Sequence, residues 1–234
     1  MHLLSSYKKS YVTFSLLLIN VIVYAYMLIR FGSSTSFDAL IATGAKSNFH
    51  IVAYHQWYRL ITPSFIHIGF EHLFFNCLTL YFIGQDLEAL MGHWRFACLF
   101  FVASFGGNLF SFALNMNVSA GASTGIFGLF VAYVILAKMY PHSFALQQRA
   151  INFALLIVLN IVTGFMSTGI DNWGHFGGAV FGALITLILG LGSGYRSTID
   201  KRDRFLALIA VILLSLGMLF WGIQRTKGAI LGGF

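Results

Sequence analysis

The sequence predicts an all-α, polytopic membrane protein, and three observations carry that prediction. Hydrophobic residues make up 58% of the 234-residue chain and charged residues 9%, where a soluble domain carries about 25% charged residues. The apolar residues gather into seven stretches on the scale of the ~20 residues a helix needs to cross hydrocarbon. The basic residues behind the net charge of +7 fall mainly between those stretches. They read as topology signals and lipid-headgroup contacts, and no basic patch interleaved with aromatics points to nucleic acid.

Taken in order, the first span is Tyr11–Leu28. It is too long for a cleavable signal and lacks a small-residue cleavage site, so it reads as retained. The second begins as Phe70–Ile83 and extends through Met91, with Asp86 and Glu88 at its end. The third is Trp94–Leu114. The fourth, Ala120–Met139, opens on the small residues Ser119–Ala122, a poor start for a full-depth helix. Irregular backbone at depth is tolerated only where it lines a watery or protein-buried cavity. The fifth span is Ile151–Met166, the sixth Gly174–Leu191 and the seventh Phe205–Ile223. Between the first two lies a mixed connection, Arg30–Gly69, with Trp57, Tyr58 and Phe65; it reads as an ordered loop lying partly in the interface, where such rings are favoured. Cys77 and Cys98 both sit in apolar runs and read as small core residues.

With the N-terminus cytoplasmic, Lys8, Lys9, Arg95, Lys138, Arg149, Arg196, Lys201, Arg202 and Arg204 lie inside, against Arg30, Lys46, Arg59, Arg225 and Lys227 outside. This bias favours that orientation.

Polar groups inside spans are costly and need a reason. They concentrate at His72–Asn76, at Gly121–Gly125 and at Gly174–Gly178, all at the outer ends of spans in this orientation. A serine hydroxyl needs a base to become a nucleophile. His175, the one histidine in the last three spans, is the candidate base for Ser123. Ser123 opens a helix, where free N–H groups can stabilise an oxyanion, and Gly121 permits a tight turn before it. His72 and Asn76 project from one helix face and can add donors. Gly174, Gly178 and Gly182 recur every four residues, which suits close packing of the sixth span on a neighbour.

In order along the chain, Tyr58-Arg59, His67, His72-x-x-x-Asn76, Gly121-Ala122-Ser123 and Gly174-His175-x-x-Gly178-x-x-x-Gly182 resemble the rhomboid family of intramembrane serine proteases. The resemblance covers roughly Gln56 to Leu191. It implies a single membrane domain over residues 1–234, with a six-helix rhomboid-like core at about 11–193 and one added C-terminal helix at about 205–223. It implies Ser123 as nucleophile, His175 as general base, and an oxyanion hole from His72, Asn76 and the Ser123 N–H. Gly121 would expose the serine, Arg59 would order the long loop, and His67 would support the site. The implied substrates are single-span membrane proteins cut in or near the helix; no cofactor or metal is implied. A multi-pass protein of a bacterial plasma membrane is the expected setting.

Three positions depart from the family pattern. Thr124 stands where Gly commonly follows the serine, Phe127 where Tyr often packs on the histidine, and Tyr58 where Trp commonly precedes the arginine. Asp171, four residues before His175, could touch it, but a dyad oriented by Phe127 is favoured. Two other functions fit part of the pattern: a rhomboid-like pseudoprotease binding membrane clients, against which the intact Ser123 and His175 speak, and a transporter with a histidine relay. The sequence carries no His-Glu-x-x-His zinc motif.

Overall fold

The computed structural model describes residues 10–166, 169–192, 195 and 197–232. Among these, nine α-helices and two short 3-10 turns follow one another, and seven of the helices are long: α1 Tyr11–Phe31, α4 Phe70–Met91, α5 His93–Leu114, α6 Ser123–Met139, α7 Phe144–Met166, α8 Asn172–Leu189 and α9 Lys201–Leu231. Four of them, α1, α5, α8 and α9, are long and apolar enough on their own to cross a membrane, while Ser123–Met139 and Phe144–Leu159 are shorter apolar segments. The helix α4 has the length, 22 residues, but buries Asn76, Gln85 and Glu88 against its neighbours.

The helix limits differ from the sequence reading for identifiable reasons. The helix α1 runs on to Phe31, where Gly32 takes a left-handed conformation (φ 67°) and its N–H closes on the Leu28 carbonyl. The helices α4 and α5 are separated only by Gly92. The fourth span starts at Ser123 rather than Ala120, because the backbone before it pairs elsewhere: Lys46 and Ser119 exchange two hydrogen bonds, and the Gly121 N–H donates to the Pro63 carbonyl. The helix α8 starts two residues early because the Asp171 side chain caps it by accepting from the Gly174 N–H. The Asp200 carboxylate caps α9 by accepting from the Asp203 N–H, so that helix includes the basic residues read as its flank. At ~1.5 Å per residue its 31 residues exceed the ~30 Å hydrocarbon thickness. The long connection is ordered, holding α2 Phe37–Thr43, α3 Asn48–Ala53 and the 3-10 turns Trp57–Leu60 and Thr62–Phe65.

The centre of the bundle is the trio α5, α6 and α8, drawn together by missing side chains. A Cβ on Gly178 would stand 2.0 Å from the Thr124 carbonyl oxygen, and one on Gly182 would stand 2.3 Å from Gly128 Cα. Small residues let helix backbones approach where lipid supplies no hydrophobic drive. The helix α7 packs on α6 by stacking Phe153 on Tyr133, centroids 4.4 Å apart, and an Arg149–Asp86 ion pair at 2.8 Å joins it to α4.

On the other flank α1 lies along α4, and the buried Glu88 carboxylate accepts from Val12 N–H (3.0 Å), Thr13 N–H (2.8 Å) and the Thr13 hydroxyl (2.6 Å). These are N–H groups that an α-helix N-terminus leaves unpaired. The helix α9 closes the back. Its Gly222 faces the Phe112 ring of α5, Arg225 donates to the Ala113 carbonyl, and Arg204 donates to the Ile188 carbonyl at the end of α8. Lys8, Lys9 and Arg196, three of the charges that set the expected orientation, lie outside the described residues. Two more, Lys46 and Arg59, expected as outer-loop charges, are buried in the loop.

Candidate active site

The helix α6 begins with Ser123 itself, so the N–H groups of its first turn have no partner within the helix. The helix α8 brings His175 into its own first turn. The Gly178 and Gly182 contacts set those two helix starts side by side, and His175 Nε2 comes to 2.9 Å from Ser123 Oγ. That is hydrogen-bond distance between an imidazole and a hydroxyl.

The imidazole is held by its neighbours. Phe127, one turn into α6, lies against it with ring centroids 4.2 Å apart and planes inclined by 13°. The Asp171 carboxylate makes its hydrogen bonds elsewhere: it accepts from the Ser111 hydroxyl, from Asn115 Nδ2 at 3.0 Å and from the Gly174 N–H at 3.1 Å. Only the Asp171 main chain reaches His175, its carbonyl accepting the His175 N–H at 3.0 Å. Among the described residues, no carboxylate is hydrogen-bonded to the His175 ring.

The other residues singled out from the sequence gather at the same place. The His72 ring lies directly over Gly121, where a Cβ would meet its Cε1 at 2.6 Å and its Nε2 at 2.8 Å. Gly121 has φ 136°, a conformation that favours glycine. Asn76 Nδ2 donates to the His72 carbonyl at 2.8 Å, which uses one of the two amide hydrogens. His67 is fully buried, edge-on to His72 with centroids 5.3 Å apart, and its Nε2 lies 3.5 Å from the Ala122 N–H. Burial, and next the adjacent His72, push the His67 imidazole down to about 3. Arg59 stands further off. It donates to the Ala45 and Ile41 carbonyls at 2.8 Å each and to Gln56 Oε1 at 2.7 Å, which stitches the loop to itself.

Thr124 fits because its surroundings are trimmed. Its Cβ occupies the space that a Gly107 side chain would need, and its methyl lies against Gly174. Its hydroxyl is buried without a hydrogen-bond partner.

A cavity of about 760 Å³ runs past this group, lined by His72, Phe75, Asn76, Ser123, Phe127, Leu156 and His175 among others. It is bounded by α4 on one side and α7 on the other. A smaller space of about 430 Å³ adjoins it at His175, Phe127 and Ile170, between Ile157 of α7 and Trp173 and Phe176 of α8. Sequence reasoning named Asn115 only as a group that could hydrate the site, and missed Ser111 and Lys46 around Asp171. A polar residue late in the third span, Ser111, was the one available signal.

The family described as "Rhomboid domain" matches residues 54–192. The chain is 35% identical over 213 residues to Rhomboid protease GluP of Bacillus subtilis, covering 91% of this chain and 41% of that protein. It is 27% identical over 201 residues to Rhomboid protease AarA of Providencia stuartii, covering 75% of this chain and 71% of that one. It is 33% identical to RHOMBOID-like protein 1 of Arabidopsis thaliana over 150 residues, covering 62% and 38%. The chain therefore spans well under half the length of the first of these relatives.

Proposed function

This chain belongs to the rhomboid family, and from that premise we propose that it is an intramembrane serine endopeptidase working through the dyad Ser123–His175. One observation carries the reading: an imidazole nitrogen lies 2.9 Å from a serine hydroxyl at the start of a helix, inside an integral membrane bundle. His175 Nε2 takes the proton as Ser123 Oγ attacks a peptide carbonyl. Negative charge builds on the carbonyl oxygen. The Ser123 N–H, the remaining Asn76 amide hydrogen and the His72 ring are available to receive it. His175 returns the proton to the leaving amine, and water, activated by the same imidazole, hydrolyses the ester on Ser123.

The substrates in this reading are single-span membrane proteins cut in or near the spanning helix. A helix hides its carbonyls, so the segment must unwind. Gly, Pro or polar residues near the cut lower that cost. The cavity between α4 and α7 is the space for such a segment. The balance of basic residues supports a cytoplasmic N-terminus, which puts the site towards the outer face.

The test is cleavage of a single-span model substrate in detergent, with fluorophosphonate labelling alongside. Wild type is expected to cleave and label. Ser123→Ala and His175→Ala are expected to fold and do neither. Cleavage by Ser123→Ala at the wild-type rate would end the proposal.

A further inference from the structure

Behind the dyad lies a buried charge that the reaction does not use. Lys46 belongs to the loop between α2 and α3 and is completely buried. Its ammonium has three donors and three acceptors: Asn48 Oδ1 at 3.0 Å, the Asn115 carbonyl at 2.8 Å and the Asn117 carbonyl at 2.5 Å. Its main chain also pairs with Ser119 in both directions. One residue therefore grips the segment Asn115–Ser119, which leads into Ser123, at three points.

That segment is tied in turn to α8. Asn115, whose carbonyl receives Lys46, donates from Nδ2 to Asp171 Oδ1. Ser111 donates to the other oxygen of Asp171 and lies 3.1 Å from the Ser119 hydroxyl. Asp171 caps α8 through the Gly174 N–H and holds the His175 N–H on its carbonyl. The two helix starts that carry Ser123 and His175 thus share one polar hub.

We infer that Lys46 and Asp171, joined through Asn115, act as a positioning pair that sets the register of the His175 helix against the Ser123 helix. The inference rests on the dyad reading of the site and adds to it the groups that hold the dyad in place. The charges fit the role. Burial would raise the Asp171 carboxyl, but the Ser111 hydroxyl, Lys46, Asn115 and the Gly174 N–H outweigh it and hold the carboxyl below its ordinary range. Burial pulls Lys46 down to about 8, against the attraction of Asp171 and with the help of Arg225. An ammonium and a carboxylate taken out of water persist when each is fully hydrogen-bonded. A general base misplaced by ~1 Å costs on the order of 100-fold in rate.

The experiment compares wild type with Lys46→Met, Asp171→Asn, Asn115→Ala and the double variant Lys46→Met/Asp171→Asn. It reads fluorophosphonate labelling of Ser123, kcat and KM for a single-span substrate, and thermal unfolding. The folded single variants are expected to lose about 10- to 100-fold in kcat and in labelling rate, with KM within about twofold. The double variant is expected to be no worse than the poorer single one, because the network acts as a unit. If Lys46→Met fails to fold, Asp171→Asn and Asn115→Ala decide, since both keep the lysine. Wild-type kcat and labelling in those folded variants overturn the positioning role and leave the dyad standing. A wild-type protein that neither labels nor cleaves overturns the protease reading and this inference with it.

Discussion

Phe127 lies flat on the imidazole of His175, ring centroids 4.2 Å apart and planes inclined by 13°. With the Asp171 carboxylate occupied elsewhere, this stacking is what fixes the plane of the ring whose Nε2 faces Ser123. A stacked aromatic pair contributes about 0.5–1.5 kcal/mol beyond its buried area. Phe127→Leu keeps most of the volume and removes the stack, so kcat is expected to fall about three- to tenfold with a small change in Tm. Phe127→Tyr keeps the ring and is expected to stay within about twofold of wild type. Equal kcat for the leucine variant and wild type would show that the ring is oriented by something else.

Gly121 and His72 lie so close that Gly121 cannot gain a side chain unless something shifts. A methyl at 121 would stand 2.6 Å from His72 Cε1 on a backbone at φ 136°. Gly121→Ala must push the ring away or shift the turn before Ser123. Loss of one oxyanion donor costs about 100- to 1000-fold in kcat, and Gly121→Ala is expected to approach that loss, as is His72→Ala. The double variant then loses little more than either single one. Additive losses in a kinetic double-mutant cycle would count against a shared origin.

The legible part of this molecule was its periodicity and its motifs. Seven long helices follow from hydropathy, and Ser123, His175, His72 and Gly121 are marked by polar or flexible residues in apolar runs. What could not be read is contact between distant segments. Lys46 looks like a loop charge, yet it is fully buried because carbonyls some 70 residues away in sequence surround it. The apolar run puts the start of the fourth span at Ala120, three residues before α6, although Ser119–Ala122 already reads as a poor helix start. Main-chain pairing with Lys46 and Pro63 holds that approach extended, and neither partner is near in sequence. The α2 and α3 helices escaped for a related reason: at 7 and 6 residues they are too short to show a period and depend on tertiary contacts.

Acid should loosen the site through His67. Its imidazole is pushed down to about 3 in the fold, against about 6.5 in an unfolded chain. Between those values the unfolded chain binds a proton that the folded chain refuses. Stability is therefore full above pH 6.5 and declines as pH falls towards 3. His67→Gln retains an acceptor for the Ala122 N–H and has no proton to take up. Its Tm is expected to fall less than that of wild type between about pH 6.5 and 4. Parallel Tm–pH curves for the two proteins would rule out His67 as the group responsible.

Glu88 makes a different kind of demand, on stability rather than chemistry. It lies 16 residues beyond His72 on α4, about 24 Å along the helix, and so at the opposite end from the dyad. One oxygen accepts from the Val12 N–H and from His93 Nδ1, the other from the Thr13 N–H and hydroxyl. Glu88→Gln turns an NH2 group towards donors on one side or the other and removes the negative charge from the N-terminus of α1. Breaking a buried charged cluster of this kind costs about 3–5 kcal/mol, a drop in Tm of about 6–20 °C for a chain of this length. Well below that Tm, fluorophosphonate labelling of Ser123 is expected to match wild type, because α5, α6 and α8 hold the dyad without α1. A variant that keeps its Tm would mean α1 is anchored by its apolar face alone, through Leu16 and Met27. One that keeps its Tm but loses labelling would tie the Glu88 end of α4 to the chemistry.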